Sequence, residues 1–464
     1  MTQSSNSTSM SYETIKVLAK QVKRPVNELI ALSPQNDPFY VGTERDKSLG
    51  AWFRDLWHEF GYSTGVHIRR MHYAIVSQNP PVKFPNGKPY ENTLECWGEL
   101  GNAAKSARYL EYVDPAAFVD RRNDDPIDST WGVAKQVQAE NAEIFPIYDS
   151  PGDISMPDLW SVPYYRELEE FKVPQRYHLE IWCEKSTMND ILSQITLRYS
   201  GVLLYGKGEL SITAALQAMS RFQESGKPVR IFYVSDFDPA GACMPVSMSR
   251  KLEYFVHNLG LDIDIRLFPV VLTYQQTKDY PKLLPTPIKE SEKRKTSFEA
   301  KYGKGAIELD ALEALYPGGL ESILDRELSR YYDRTLRPRV ADFHREHKTK
   351  LSDMQESVYA EYTDDMQSIE EEEDALKDEW QAIIAPFTEK LNAHIERRVE
   401  VWQAISDKLE ENQPEILEDD IPEAVMAEER EGALYDSARD YLTQNDVYQA
   451  HKAGLGLPSE DLAS

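Results

Sequence analysis

The chain has 464 residues and a formal net charge of −26. That length allows two or three domains with sizeable cores. The acidic balance argues against a uniformly basic nucleic-acid-binding protein. No stretch reaches the roughly 18 apolar residues of a membrane span, so we expect no membrane partner. The three cysteines, Cys96, Cys183 and Cys243, lack metal-ligand spacing, which favours a reducing, cytoplasmic location.

The negative charge is concentrated at one end of the chain. Residues 351–464 carry 31 acidic and 8 basic side chains, whereas residues 1–350 carry 47 acidic and 44 basic ones. Local basic groups occur in that near-neutral part, among them Arg69-Arg70 and Lys293-Arg294-Lys295. A local basic surface that binds DNA is therefore compatible with the overall charge.

Helices are predicted first along the chain. Residues 1–60 are interpreted as a tail followed by helices, with apolar side chains at helical spacing over residues 47–60. Over residues 61–125 the sequence predicts a helix at 67–76, then a loop or small wing, a second helix at 92–110 and a short extended segment. This order is typical of a helix-turn-helix or winged-helix module. Residues 126–165 are predicted to be a linker, because prolines recur in it.

Strands and helices alternate over residues 166–335. A strand predicted at 177–183 is followed by Glu184 and Lys185, and a strand at 201–205 is followed by Gly206-Lys207-Gly208. A helix at 212–222 then leads to the apolar strand 229–234. The pattern predicts an α/β domain with a mostly parallel sheet flanked by helices.

Two aspartates stand at the end of the strand at 229–234. Asp236 and Asp238 are two residues apart, so on extended backbone they point the same way. Pro239 and Gly241 then allow a tight turn. Carboxylates at the carboxyl edge of such a sheet suit a hard cation such as Mg²⁺. From these residues alone, two solvated aspartates on a loop are an equally good interpretation.

The succession of Glu184 after one strand and Asp236-x-Asp238 after a later one resembles the Toprim domain of topoisomerases, primases and some nucleases. The following Pro239-x-Gly241 looks most like the branch of topoisomerase VI A subunits, which includes the meiotic double-strand-break protein. The resemblance covers about residues 50–335. It implies that Glu184, Asp236 and Asp238 hold Mg²⁺.

The resembled family also has a winged-helix-like domain before the Toprim domain, with a motif Arg-Asp-x-aromatic-Tyr whose tyrosine attacks DNA. The matching stretch here is Arg69-Arg70-Met71-His72-Tyr73. Arg69 and Tyr73 agree with the motif, whereas Arg70 and His72 depart from it. The resemblance implies Tyr73 as the nucleophile, assisted by Arg69 and Glu184; a structural helix tyrosine is the alternative. In that family the tyrosine of one protomer works with the metal site of the other, which implies a homodimer.

We therefore predict a Mg²⁺-dependent protein that cuts double-stranded DNA by tyrosine transesterification. Two alternatives remain: a Toprim nuclease that uses metal-activated water, and a non-catalytic DNA-binding or complex-assembly protein. No G-x-x-x-x-G-K-[ST] motif is present, so any ATPase would be a separate partner. Paired zinc-binding cysteines are missing too, which argues against a primase. The candidate DNA contacts are Arg69, Arg70, Lys185 and Lys207.

The end of the chain, residues 336–464, is predicted to be an acidic, helical region. Apolar residues at steps of three and four predict long helices, either a hairpin within the chain or an intermolecular coiled coil. We expect an acidic linker at 411–424 and a last helix at 425–450. Before this region, Glu308 and Asp310 repeat the acidic spacing, and could either support the metal ligands or start a helix at Asp310.

Overall fold

The structure, a computed structural model, describes residues 11–119, 125–130, 133–145, 161–206, 211–380 and 388–454. The chain forms two compact units. The first unit comprises residues 1–133, 176–332 and 426–464, and the second comprises residues 134–175 and 333–425. The chain passes back and forth between them, so neither unit is one continuous segment.

The described chain contains both helices and strands. In chain order its helices are α1 (Tyr12–Val22), α2 (Glu44–Glu59), α3 (Ile68–Val76), α4 (Leu94–Tyr109), α5 (Asn189–Arg198), α6 (Ile212–Ser225), α7 (Met244–Leu259), α8 (Gln276–Asp279), α9 (Lys295–Tyr302), α10 (Leu309–Leu315), α11 (Gly319–Leu328), α12 (Leu336–Glu361), α13 (Thr363–Trp380), α14 (Thr388–Glu411) and α15 (Tyr441–Ala453). Its strands are β1 (Ile127–Asp128), β2 (Ile144–Phe145), β3 (Tyr164–Tyr165), β4 (His178–Cys183), β5 (Val202–Tyr205), β6 (Val229–Val234), β7 (Ile265–Val271) and β8 (Tyr435–Asp436).

A six-stranded sheet forms the centre of the first unit, in the order β1-β5-β4-β6-β7-β8. The four inner strands are parallel, while β1 and β8 are antiparallel to their neighbours at the two edges. This confirms the prediction of a mixed α/β fold with a mostly parallel sheet flanked by helices. The end of β4 lies level with the end of β6, since Cys183 pairs with Val234.

The sheet is covered on both faces. Strands β4 and β6 are buried along their whole length, as central parallel strands usually are. Because side chains alternate along a strand, Trp182 and Ile231 enter a core with α6 and α7, whereas Ile181 and Phe232 enter a second core with α5 and α11. These two cores fix the position of the strand ends between them.

A separate core joins α2, α3 and α4, at the positions predicted for them. Its buried side chains include Phe53, Trp57, Met71 and Leu100. Thr43 and Asp46 form a capping box at the start of α2. Between α3 and α4 the chain makes a narrow turn, in which Phe84 N–H donates to the carbonyl of Lys88 at 2.9 Å.

The described part of the second unit consists mainly of helices and a short two-stranded sheet. Helix α14 packs against both α12 and α13, and a single residue, Tyr362, separates the end of α12 from the start of α13. Strands β2 and β3 pair antiparallel. The packing is therefore within the chain, as one of the two interpretations of the three-four pattern expected. One of its core clusters contains the buried apolar side chains Val358, Ile369, Trp402, Ile405 and Leu409.

The prediction of a single helix over residues 425–450 is wrong in its first half. Residues 435–436 form β8, which pairs with β7, and the helix begins only at Tyr441. The reason is local: Gly432 has a φ of 77°, and Asp440 caps α15 by accepting hydrogen bonds from the N–H groups of residues 442 and 443. Tyr435 is then buried in the core beside α7. The linker predicted at 126–165 likewise contains the short strands β1, β2 and β3. Its Pro146, Pro151 and Pro157 lie outside the described residues.

Candidate active site at the carboxyl edge of the sheet

The ends of β4 and β6 bring Glu184 and Asp236 together. Glu184 follows β4 directly, and Asp236 lies two residues beyond β6. The N–H of Asp236 donates to Glu184 Oε1 at 2.8 Å. Both carboxyl groups are largely buried, with 9% and 7% of each residue exposed. The sequence prediction that these residues share an edge of the sheet agrees with this geometry.

The turn after Asp236 is tight and depends on a glycine. Asp238 Oδ1 accepts a hydrogen bond from the N–H of Gly241 at 2.6 Å. A Cβ atom at residue 241 would lie 2.1 Å from the carbonyl oxygen of Asp236, so only glycine fits there. The backbone of residues 236–241 therefore turns back on itself, so that Gly241 lies against the carbonyl group of Asp236.

Lys185 lies among five acidic residues, Glu184, Asp236, Asp238, Glu308 and Asp310, which we call the acidic cluster. Its Nζ lies 2.7 Å from Asp236 Oδ2, 3.0 Å from Glu308 Oε2 and 3.2 Å from Asp310 Oδ2. The other oxygen of Asp236 accepts the N–H of Leu309 at 2.8 Å, at the start of α10. Asp310 therefore faces Lys185 from the first turn of α10 and does not cap that helix. The sequence offered Lys185 as a DNA contact, and its partners in the structure are carboxylates.

Burial and repulsion perturb the acids of this cluster. Burial raises the pKa of Glu184 to about 7; the nearby charges of Asp236 and Asp238 add to this effect, and the N–H of Asp236 opposes it. Burial also raises the pKa of Asp236 above its ordinary value, although Lys185 works against that shift. For Lys185, burial acts to lower the pKa, but the hydrogen bonds to Asp236 and Glu308 raise it overall.

These carboxylates suit a hard divalent cation by their chemistry. Raised pKa values indicate negative charge that is not fully compensated, and an oxygen-bound cation would relieve it. Among the described residues, however, no three acidic, histidine or cysteine side chains converge in a formed metal site. The cation that contacts Asp236 is instead the Lys185 ammonium. The assignment of Glu184, Asp236 and Asp238 as Mg²⁺ ligands remains a prediction.

Tyr73 lies on the outer face of α3. Its residue is 62% exposed, and Arg69 and Arg70 on the same helix are exposed too. No hydrogen bond or ion pair within the described part of the chain joins Tyr73 to Glu184, Asp236 or Asp238. The fourth predicted DNA contact, Lys207, falls outside the described residues.

His72, the neighbour of Tyr73, is a buried anchor of α3. Its Nδ1 lies 2.6 Å from the Tyr90 hydroxyl, and its Nε2 lies 3.2 Å from Asn92 Oδ1. The ring of Trp97 packs edge-on against it. The histidine that departs from the family motif thus fastens α3 to the segment before α4, and it leaves the tyrosine ring outside.

A basic segment adjoins the acidic cluster. Residues 278–304 contain eight lysine or arginine side chains and four acidic ones. Lys278, Lys282, Lys289 and Lys293 are all exposed. The segment is tied to the site because Phe237, between the two aspartates, packs against Phe298 and Tyr302 and pairs with Ile307. Such a surface suits a phosphate backbone.

Sequence reasoning missed a buried polar network on β4. Glu180 is fully buried and lies 3.0 Å from both His178 Nε2 and Arg221 Nε, and it accepts the indole N–H of Trp182 at 2.6 Å. Burial acts to raise the pKa of Glu180, but the charge of Arg221 and the His178 hydrogen bond lower it to about 2. Polar residues at every second position of an apolar strand were the available signal.

No model of a known protein family matches the chain, and the comparison with curated proteins finds no significant match. Among the described helices, none combines the length and apolar character needed to cross a membrane.

Proposed function

We propose that the protein is a Mg²⁺-dependent DNA-cleaving enzyme resembling the topoisomerase VI A subunit, with a Toprim-type domain and a winged-helix-like module. One observation carries the proposal. Glu184 and Asp236 meet at the carboxyl edge of adjacent parallel strands, with Asp238 in the turn that follows, and the pKa of Glu184 is raised to about 7. A bound metal ion would compensate the negative charge of these neighbouring, largely buried carboxylates.

The basic surroundings support DNA as the substrate. The segment 278–304 presents exposed lysines beside the acidic cluster, and Arg69 and Arg70 are exposed on the helix that carries Tyr73. Lysine and arginine side chains bind phosphates without regard to base sequence. The overall negative charge of the chain does not oppose this role, because most of it lies beyond residue 350.

In the proposed reaction, the Tyr73 hydroxyl oxygen attacks a DNA phosphorus. A tyrosine–phosphate bond forms and the bond from phosphorus to one sugar oxygen breaks. The phenol gives up one proton to solvent and the released sugar oxygen takes up one, so no proton is gained or lost overall. The exposed Tyr73 ring can reach a bound duplex, and Arg69, one helical turn earlier, can face the same phosphate. When bound, Mg²⁺ would supply charge stabilisation at the phosphate. The phosphodiester energy is kept, so the reverse reaction reseals the break.

The lack of any described link between Tyr73 and the carboxylates is compatible with catalysis across a homodimer, in which the tyrosine acts at the partner's metal site.

A hydrolytic nuclease is the second candidate. The observation that favours it is the engagement of His72 with Tyr90 and Asn92, together with Arg70 in place of the family's aspartate. In that mechanism water attacks the phosphorus, Tyr73 has no chemical role, and both DNA ends are released free.

Replacing Tyr73 with phenylalanine separates the two mechanisms. The change removes one exposed oxygen, so the fold should be unaffected. If Tyr73 is the nucleophile, Tyr73→Phe loses both DNA cleavage and the protein–DNA adduct that denaturing gels reveal, yet still binds duplex DNA. Tyr164→Phe, an exposed tyrosine elsewhere, is the matched control and should keep both. Cleavage by Tyr73→Phe at the parental rate, with no adduct in either protein, would establish hydrolysis instead.

A further inference from the structure

The three carboxylates that contact Lys185 differ in how far they depend on its positive charge. Asp236 is 7% exposed, so its charge depends on a protein partner. The side chains of Glu308 and Asp310 are 59% and 48% exposed, so water can solvate them when Lys185 leaves. The ammonium therefore compensates mainly the charge of Asp236.

Its placement makes Lys185 a competitor for any metal at Asp236. One oxygen of Asp236 already accepts the Leu309 N–H, and the other faces Lys185 Nζ at 2.7 Å. A divalent ion at that second oxygen would repel the ammonium over the same short distance. Lysine carries its charge on a flexible four-carbon stem, so it can move without disturbing the backbone.

We propose that Lys185 exchanges partners: it neutralises Asp236 in the metal-free protein and moves to a DNA phosphate when Mg²⁺ binds. The inference rests on the proposed function, because it takes Asp236 as a metal ligand and DNA as the substrate. The exchange gives the site its order of events. Metal binding releases a positive charge at the edge where the phosphate must arrive, and DNA binding draws the same charge away from the metal ligand.

Two measurable consequences follow from this competition. If the metal must displace Lys185, its apparent affinity is lower than its affinity for the free site. The factor is the fraction of molecules in which Lys185 has already left Asp236. DNA and metal must also strengthen each other's binding by the same factor, since the coupling of two ligands is reciprocal. Both effects should vanish when the ammonium is removed.

The test compares the full chain with Lys185→Met, using Mn²⁺ binding measured by electron paramagnetic resonance. DNA binding is followed by fluorescence anisotropy of a short duplex, at constant ionic strength, with and without Mn²⁺. Tyr73→Phe is the background in both proteins, and gels check that the duplex stays intact. We expect Lys185→Met to bind Mn²⁺ about tenfold more tightly in the absence of DNA. The increase in DNA affinity caused by Mn²⁺ should be lost.

Two further variants control for charge and folding. Lys185→Arg keeps the charge and should restore the weaker Mn²⁺ binding and the coupling. Lys47→Met removes a lysine paired with Glu44 on α2 and should behave as the parent. Thermal melting shows whether Lys185→Met is folded. If it is not, Lys185→Gln is used instead.

Unchanged or weaker Mn²⁺ binding by the uncharged variant, or an equal metal effect on DNA affinity in both proteins, would overturn the exchange while leaving the proposed function standing. A parent protein that binds neither Mn²⁺ nor duplex DNA would overturn both.

Discussion

Glu184 lies in an unfavourable environment for a carboxylate. It is nearly buried, and the charges of Asp236 and Asp238 repel its own more than Lys185 attracts it. An isolated buried carboxylate tends to take up a proton, which accounts for its pKa of about 7. At neutral pH a substantial share of the molecules therefore carries a protonated Glu184 when no metal is bound. Proton and metal should compete for this residue, so metal affinity should rise between pH 6 and pH 8.

The raised pKa of Glu184 should make the free energy of unfolding depend on pH. The folded-state pKa of Glu184, about 7, exceeds its ordinary value of 4.5, so the folded state prefers the protonated form. The favourable contribution is complete below pH 4.5 and is lost as the pH rises through 7. Glu184→Gln cannot ionise and can still accept the Asp236 N–H. Without metal, we expect the variant to be more stable than the parent at pH 8, by about 1–3 kcal/mol, and similar at pH 5.

Urea denaturation at the two pH values measures this difference. Glu95→Gln, at an exposed position on α4, is the control and should show no dependence of this kind. A Glu184→Gln variant less stable than the parent at pH 8 would contradict the raised pKa.

Residue-level prediction worked where local rules sufficed. Asp236 and Asp238 follow an apolar strand, and the two-residue repeat of a strand placed them at its end. The carboxylate partners of Lys185 were not foreseen, because Glu308 and Asp310 lie more than 120 residues away along the chain and no local pattern joins them. His72 was noted only as a departure from the family motif, and its two hydrogen-bonding partners, Tyr90 and Asn92, lie in the segment before α4, which the motif does not include.

At the scale of elements, β4 is the strand that positions the site. It lies between β5 and β6, and its end carries Glu184. The same strand contains the buried Glu180, whose charge is compensated by Arg221 on α6. This ion pair fastens α6 to the face of the sheet opposite α5.

We expect Arg221→Met to destabilise the first unit by about 3–5 kcal/mol, because it leaves the Glu180 carboxylate buried without its cation. Glu180→Gln combined with Arg221→Met should recover part of this loss, since no buried charge remains. Urea denaturation followed by tryptophan fluorescence gives the values. Equal stability of Arg221→Met and the parent would show that Glu180 is not charged in the folded protein.

Element prediction followed hydrophobic periodicity closely. Helices α2, α3, α4 and α6, and strands β4 to β6, lie where their apolar patterns placed them. The helix predicted over 425–450 is wrong before residue 441. Leu434 and Tyr435 are buried there, and Tyr435 pairs with β7, more than 160 residues away along the chain, a contact that periodicity cannot reveal.

At the scale of the whole molecule, the first unit is closed by the last described segment of the chain. Arg250 on α7 is fully buried, pairs with Asp37 at 3.1 Å and bonds to the hydroxyl of Tyr441 on α15. That hydroxyl donates to the carbonyl of Leu29 at 2.7 Å. Segments from the beginning, middle and end of the chain therefore meet at one guanidinium.

Removal of residues 426–464 should consequently cost the first unit its cooperative fold, although the acidic composition suggests a dispensable tail. The deletion exposes the core around α7 and leaves Arg250 without the Tyr441 hydroxyl. We expect the truncated protein to lose its main thermal transition in calorimetry. A shorter truncation after residue 454 is the control and should keep it. A parental melting temperature after the larger deletion would contradict this account.

The two-unit arrangement was beyond sequence reasoning, which treated the chain as consecutive domains. Residues 134–175 and 333–425 form one unit although 157 residues of the chain separate them. Proline spacing identified the first of these segments as a connection, and helical periodicity identified the second as long helices. Their association depends on contacts such as that of the Tyr165 N–H with Gln355 Oε1 at 2.8 Å, which no local pattern encodes.

We propose that Glu184, Asp236 and Asp238 form a metal site at which DNA is cut. The most direct measurement is the cleavage of supercoiled plasmid by the full chain and by Asp236→Asn/Asp238→Asn, each with Mg²⁺ and with a chelator. The asparagines keep the size of the side chains and remove the charges that would bind the cation. We predict cleavage by the parent only when Mg²⁺ is present, and a loss of at least about 100-fold in the double variant with duplex binding retained. Equal cleavage by both proteins, or cleavage that persists in the chelator, would contradict the account.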